Sequence, residues 1–150
     1  MTMTTRESAT HTRSSGGWVA RREATVRVLT DLAGLSTLDL TGLTADDVTV
    51  HNGTATISTP TRTVTVPAAA DGMCGPCTLA RWLHTLDLTV VHTDPLVVTA
   101  VINRAAAPTP HPAEDCRASA TIGPDTRRLP LLPRVDPWGP LPIPRQHSGR

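Results

Sequence analysis

The spacing of hydrophobic positions changes period along the chain. Between Val19 and Ala33 the apolar residues Ala24, Val28, Leu29, Leu32 and Ala33 recur at helical spacing, while Arg21, Arg22, Glu23 and Asp31 fall elsewhere around the turn. This predicts an amphipathic helix closed by Gly34. Leu35, Leu38, Leu40 and Leu43 then suffice for a second short helix, weakened by Gly42, before Asp46 and Asp47 mark a turn. From Val48 the period becomes two, through Val48, Val50, Ala55, Ile57, Val64 and Val66, interrupted at Asn52-Gly53 and at Pro60. Asn and Gly both tolerate positive φ, so the pattern predicts a three-stranded antiparallel meander over about 48–67, turning at Asn52 and Gly53 with those six side chains facing the core. Pro67 ends the last strand.

After the loop 68–73, CGPCTLARWLHTLDL places Pro76 in the first turn of a helix whose apolar face is Leu79, Trp82, Leu83 and Leu86. That face is expected to pack on the first helix at Leu29 and Leu32. Leu96 to Ala105 can be read as strand or helix, and Val97, Val101 and Ala105 favour helix. Residues 107–128 read as an irregular insertion. From Leu129 a Pro recurs every few residues, which excludes regular helix and central strand and leaves an extended or edge tail over 129–150. Residues 1–17 are almost free of apolar side chains and are expected to be a disordered arm. The division is therefore arm 1–17, folded part 18–106, insertion 107–128 and tail 129–150. The fold class is α+β, helices packed on a small three-stranded antiparallel sheet. Trp82 is the aromatic ring expected at its centre, with Trp18 bordering the arm and Trp138 in the tail.

With 150 residues the chain allows one domain. Its 14 basic residues are all Arg, balanced by 13 acidic ones to a formal charge of +1, which argues against a strongly basic polyanion-binding module. Tyr, Phe and Lys are absent, so no Tyr nucleophile, Lys base or Schiff-base Lys is available. No apolar run approaches the roughly 18 residues of a membrane span, and the start lacks the apolar stretch of a secretory signal. The odd count of 3 Cys fits reduced thiols, and a soluble cytoplasmic protein is expected.

Three chemistries compete for those thiols. Cys74-Gly75-Pro76-Cys77 spells the redox motif of thioredoxin, in which a helix N-terminus stabilises the first thiolate, but a loop of small residues precedes it and Met73 stands where that motif carries Trp. The same pair, with the distant His111 and Cys116, offers a tetrahedral donor set for zinc. The plainest reading is free thiols at the start of a helix, with no metal, no cofactor and no catalytic residue. His84 and His92 carry no pattern, no Ser, His, Asp set can be singled out, and no Gly-rich phosphate loop is present.

Taken in order, these segments resemble the first half of the catalytic domain of the tyrosine recombinases of the phage integrase family. Gly34, Leu35, Asp39, Leu40, Leu43, Asp47 and Val48 sit where that family has its Gly-Leu-Arg turn and its Leu-x-x-x-Asp-Val entry to the sheet. The meander ending in Val66-Pro67, the helix CGPCTLARWLHTL and the tail segment LLPRVDPWG continue the likeness. The resemblance implies a recombinase-like fold without its catalytic equipment. The family's first phosphate-clamping Arg would fall at Ser36, the hairpin Lys would lie in a turn that reads Thr59-Pro60-Thr61-Arg62, and the His-x-x-Arg box and Tyr are missing. The expectation is a catalytically inactive, truncated relative and not an enzyme, retaining weak binding to DNA or to an intact recombinase, with Arg62 as the candidate DNA contact. The alternative is a small cytosolic thiol-redox or zinc-binding protein built on Cys74 and Cys77.

Overall fold

A computed structural model describes residues 17–69, 74–92, 94–104, 111–137 and 139–141. The expected arm up to residue 16, Ala105, Trp138 and the tail beyond residue 141 lie outside them. Helix α1 (Trp18–Arg27) runs into a π-helical turn (Val28–Leu32). There the Ala33 N–H donates to the Val28 carbonyl at 3.0 Å, an i−5 bond that admits an extra residue into the turn. The wider turn brings Ala33 to the core beside Val28 and Leu29 and leaves Leu32 48% exposed at the rim, where it still reaches the start of the Cys74 helix, a Cβ on Gly75 lying 3.5 Å from Leu32 Cδ1. Gly34, at φ +71°, stops the helix, and the Leu35 N–H closes back on the Leu29 carbonyl at 2.9 Å.

Short helix α2 (Thr37–Thr41) opens with a reciprocal cap: Ser36 Oγ accepts the Asp39 N–H at 3.1 Å, and Asp39 Oδ2 accepts the Ser36 N–H at 3.0 Å. Its Leu38, expected to help build the helix, points to solvent. A 3₁₀ turn (Ala45–Asp47) occupies the expected turn at the two aspartates. The meander follows as β1 (Val48–His51), β2 (Thr54–Ser58) and β3 (Thr63–Pro67), antiparallel in that spatial order. Val50 pairs with Ala55, Ala55 with Val66, and Ile57 with both Val48 and Val64. Asn52 (φ 48°) and Gly53 (φ 84°) make the two-residue turn as expected. Val48, Val50, Ala55, Ile57 and Val66 are buried, and Val64, nearer the free end of β3, is half-buried.

Helix α3 (Gly75–Val91) crosses this sheet and buries Leu79, Trp82, Leu83 and Leu86, the face its spacing predicts. A Cβ on Gly75 would lie 2.6 Å from Val66 Cγ1, so the missing side chain is what lets the helix start close against β3. Trp82 meets Trp18 edge to face, ring centroids 6.0 Å apart at 88°. Trp18, expected at the periphery, is thus a core ring, and its indole N–H donates to Thr99 Oγ1 at 3.2 Å. Thr99 belongs to α4 (Pro95–Arg104), which is helical as preferred but buries Val98, Thr99 and Ile102 while Val97 and Val101 stay exposed. The Trp18–Thr99 bond and a second from Arg21 Nη2 to the Ile102 carbonyl at 3.1 Å hold α4 in that rotation. Arg21 itself, expected on the solvated side of α1, is buried, with Nη1 donating to Thr85 Oγ1 at 3.0 Å.

The described start of the Pro-rich segment, expected as an extended or edge tail, is integrated into the core through Leu131, with Leu129, Leu132 and Val135 packed against it. Leu131 is fully buried, its carbonyl accepts the Trp82 indole N–H at 2.6 Å, and its N–H donates to the Leu43 carbonyl at 2.9 Å. Arg22 donates to the carbonyls of Pro133 (2.8 Å) and Leu132 (3.3 Å). Beyond helix α5 (Pro124–Arg127), strands β4 (Val135–Asp136) and β5 (Gly139–Pro140) form a small ribbon whose Gly139 lies against the Trp18 ring. The architecture is α+β, with helices on a three-stranded antiparallel sheet. Among the described residues no helix is long and apolar enough to cross a membrane.

Candidate metal centre

Two halves of the chain converge at the start of α3. Cys74 is the N-cap residue and Cys77 lies in the first turn, so the backbone places both thiols on one end of a rigid helix. The other half is 111–120. His111 precedes a 3₁₀ turn (Ala113–Asp115), and Cys116 ends it, its N–H donating to the Ala113 carbonyl at 3.2 Å. This segment runs along the outer edge of β1: Ala120 N–H donates to the Val50 carbonyl (3.1 Å), Gly53 N–H to the Ala118 carbonyl (2.9 Å), and Asn52 N–H to Ser119 Oγ (2.8 Å). At its far end Asp87 of α3 accepts from Gly123 N–H (3.1 Å) and Thr126 Oγ1 (2.5 Å). Gly53 has a second duty here, because a Cβ would drive into the Cys116 carbonyl.

The four donor atoms lie within 4.8 Å of one another. Cys116 Sγ is 3.7 Å from Cys74 Sγ and 3.6 Å from Cys77 Sγ, and Cys77 Sγ is 3.2 Å from His111 Nε2. A tetrahedral zinc with bonds of about 2.3 Å to sulfur and about 2.0 Å to nitrogen has edges of about 3.8 and 3.5 Å, so these separations suit it. The tautomer suits it as well. His111 Nδ1 lies 3.1 Å from the Pro112 carbonyl, which can only accept, so Nδ1 carries the proton and Nε2 presents a lone pair to the thiols.

The two helix thiols, Cys74 and Cys77, are shifted in opposite directions. Burial, then the thiols of Cys74 and Cys116, pushes Cys77 up to about 12. Burial would also raise Cys74, but the N–H groups of Cys77 and Ala69, together with the other two thiols, donate to its sulfur and hold it below the usual thiol range. Three crowded sulfurs cannot all ionise without a cation, and a soft divalent cation removes that penalty. The set supplies four protein ligands, the closed arrangement of structural zinc.

The other candidate, Arg62, is engaged within the protein: Nη2 donates to the Gly34 carbonyl at 2.8 Å and lies 3.8 Å from Asp39 Oδ2. Ser36, at the position the recombinase resemblance assigns to an Arg, is the cap of α2. His84 and His92 are exposed. Sequence reasoning named all four cluster residues as an alternative to free thiols, and named Gly53 for the turn and Gly75 within the Cys-x-x-Cys motif, but gave neither a part in positioning the site and did not mention Asp87. Comparison with protein-family models, curated proteins and solved structures finds no match for this chain.

Proposed function

We propose that the protein is a non-enzymatic zinc-binding protein in which Cys74, Cys77, His111 and Cys116 hold one structural metal ion. The observation that carries this reading is the convergence, within 4.8 Å of one another, of four thiol and imidazole donors from two segments more than thirty residues apart, three of the separations lying between 3.2 and 3.7 Å. Thiolate and imidazole donors favour zinc over hard cations such as magnesium or calcium. The metal's work is to clamp 111–120 to α3 and so keep the β1 edge covered. Elemental analysis of the full chain purified without added metal tests it: one zinc per chain is expected, and Cys77→Ser and Cys116→Ser each lose it. A protein that neither carries zinc nor takes it up overturns the reading.

A second reading, compatible with the first, is that the chain is a truncated tyrosine recombinase relative without strand-exchange chemistry. The succession of α1, the Gly34-Leu35 turn, α2, the meander and α3 supports it. Under this reading duplex DNA is retarded weakly on native gels and Arg62→Ala weakens the shift, while no covalent protein–DNA adduct forms. Absence of any shift on DNA would remove it.

A further inference from the structure

We propose that the Cys74-Gly75-Pro76-Cys77 turn is the oxidant-sensitive half of the zinc site, which a hydroperoxide closes into a local disulfide, expelling the metal and unclamping the His111–Cys116 half. The inference rests on the zinc reading above and adds its regulation.

The asymmetry of the cluster carries it. Cys74 and Cys77 are partly exposed, whereas Cys116 is 3% exposed, its carbonyl lodged against Gly53. A peroxide therefore reaches the helix pair first, since oxidation of zinc thiolates follows access. The Cys74 thiolate attacks the peroxide oxygen, forming a sulfur–oxygen bond as the O–O bond breaks and alkoxide or hydroxide leaves. The Cys77 thiolate then attacks the sulfenyl sulfur, the S–S bond forms, and hydroxide departs. Two electrons pass from the two thiolates to the peroxide, and water protonates the departing oxyanions. Zinc, left with one thiolate and one imidazole, is released, and Cys116 takes a proton from solvent.

Cys116 is also close enough to resolve the sulfenate, and the outcome differs. A bond from Cys116 to either helix cysteine would keep 111–120 tied to α3, while the local bond frees it. The helix pair is favoured because both residues sit on one rigid turn and are the more accessible thiols, whereas Cys116 is buried.

The experiment is titration of the zinc-loaded full chain with hydrogen peroxide, following metal with a chromophoric chelator and mapping thiols by alkylation and mass spectrometry of the unreduced digest. One zinc is expected to leave for each pair of thiols consumed. The peptide between Arg62 and Arg81 should then lack two hydrogens and resist alkylation, Cys116 should alkylate freely, and dithiothreitol should restore metal uptake. Zinc retained after the thiols are consumed, or Cys116 found in the disulfide, overturns the switch and leaves the zinc reading standing. A chain that never carries zinc overturns both.

Discussion

Trp18 and Trp82 meet edge to face, and each indole N–H is spent on a partner distant in sequence, Thr99 for one and the Leu131 carbonyl for the other. Deleting either ring removes both packing and a buried hydrogen bond, so Trp18→Ala and Trp82→Ala should each cost about 3 to 5 kcal/mol in denaturant unfolding. A double-mutant cycle of the pair should show coupling of about 0.5 to 1.5 kcal/mol. Arg81 poses the opposite case. Its Nη2 is buried and meets no hydrogen-bond acceptor among the described residues, and burial lowers its pKa. Its charge also acts on Arg21, which burial, then Arg81, pulls down to about 10. Arg81→Met keeps the aliphatic stem and removes a buried guanidinium nitrogen that has no partner among the described residues, so the melting temperature should hold or rise; a fall of several degrees would show that the guanidinium is stabilising. At Asp39 the Ser36 backbone N–H, then its hydroxyl, with Arg62 beyond, holds the carboxyl below its ordinary value. A depressed folded pKa gives stabilisation that is complete at neutral pH and lost as pH falls through the folded value. Asp39→Ala should therefore lower stability at pH 7 and leave it unchanged once the wild-type carboxyl is protonated.

At the scale of elements, the β1–β2 hairpin and the 116–120 segment are built against each other. Gly53 serves both, through its positive φ and through the space it leaves for the Cys116 carbonyl. Gly53→Ala should lower both the melting temperature and the affinity for zinc, measured by chelator competition, because the hairpin and the ligand segment are strained together. Gly42 is the control. It sits at φ −99°, and a Cβ added there would have no neighbouring atom within 4 Å, so Gly42→Ala should stabilise by about 0.4 to 1 kcal/mol and leave metal affinity unchanged. If Gly53→Ala lowers the melting temperature but leaves metal affinity unchanged, Gly53 has only the turn to answer for.

At the scale of the whole molecule, the proposed zinc would act at the start of α3, while Leu131 of the Pro-rich segment is tied to Trp82 in its middle. At free zinc about 100 to 1,000 times its dissociation constant, binding should add about 3 to 4 kcal/mol to stability, so a chelator should lower the melting temperature and open 111–123 to protease before the core. The elements with short-range signals were legible in the sequence alone: Gly34 and Asn52-Gly53 stop or turn the backbone by their own φ preference, the alternation over 48–66 chooses a sheet face, and Leu79, Trp82, Leu83 and Leu86 define one side of a helix. Of the cluster, Cys74 and Cys77 were legible as a pair of donors from their Cys-x-x-Cys spacing, while His111 and Cys116 carried no spacing signal and entered only as partners for an alternative to free thiols. What required the tertiary structure was every choice between equivalent local patterns. The π turn that turns Leu32 outward, the rotation of α4 that buries Val98 and Ile102 instead of Val97 and Val101, and the burial of Arg21 and Trp18 all depend on hydrogen bonds and packing that the fold supplies. The joining of His111 and Cys116 to the helix pair was decided in the same way, by the β1 edge and Asp87. Periodicity reports which faces of an element are apolar; only the assembled fold determines which apolar face meets a partner and which distant donors share a centre.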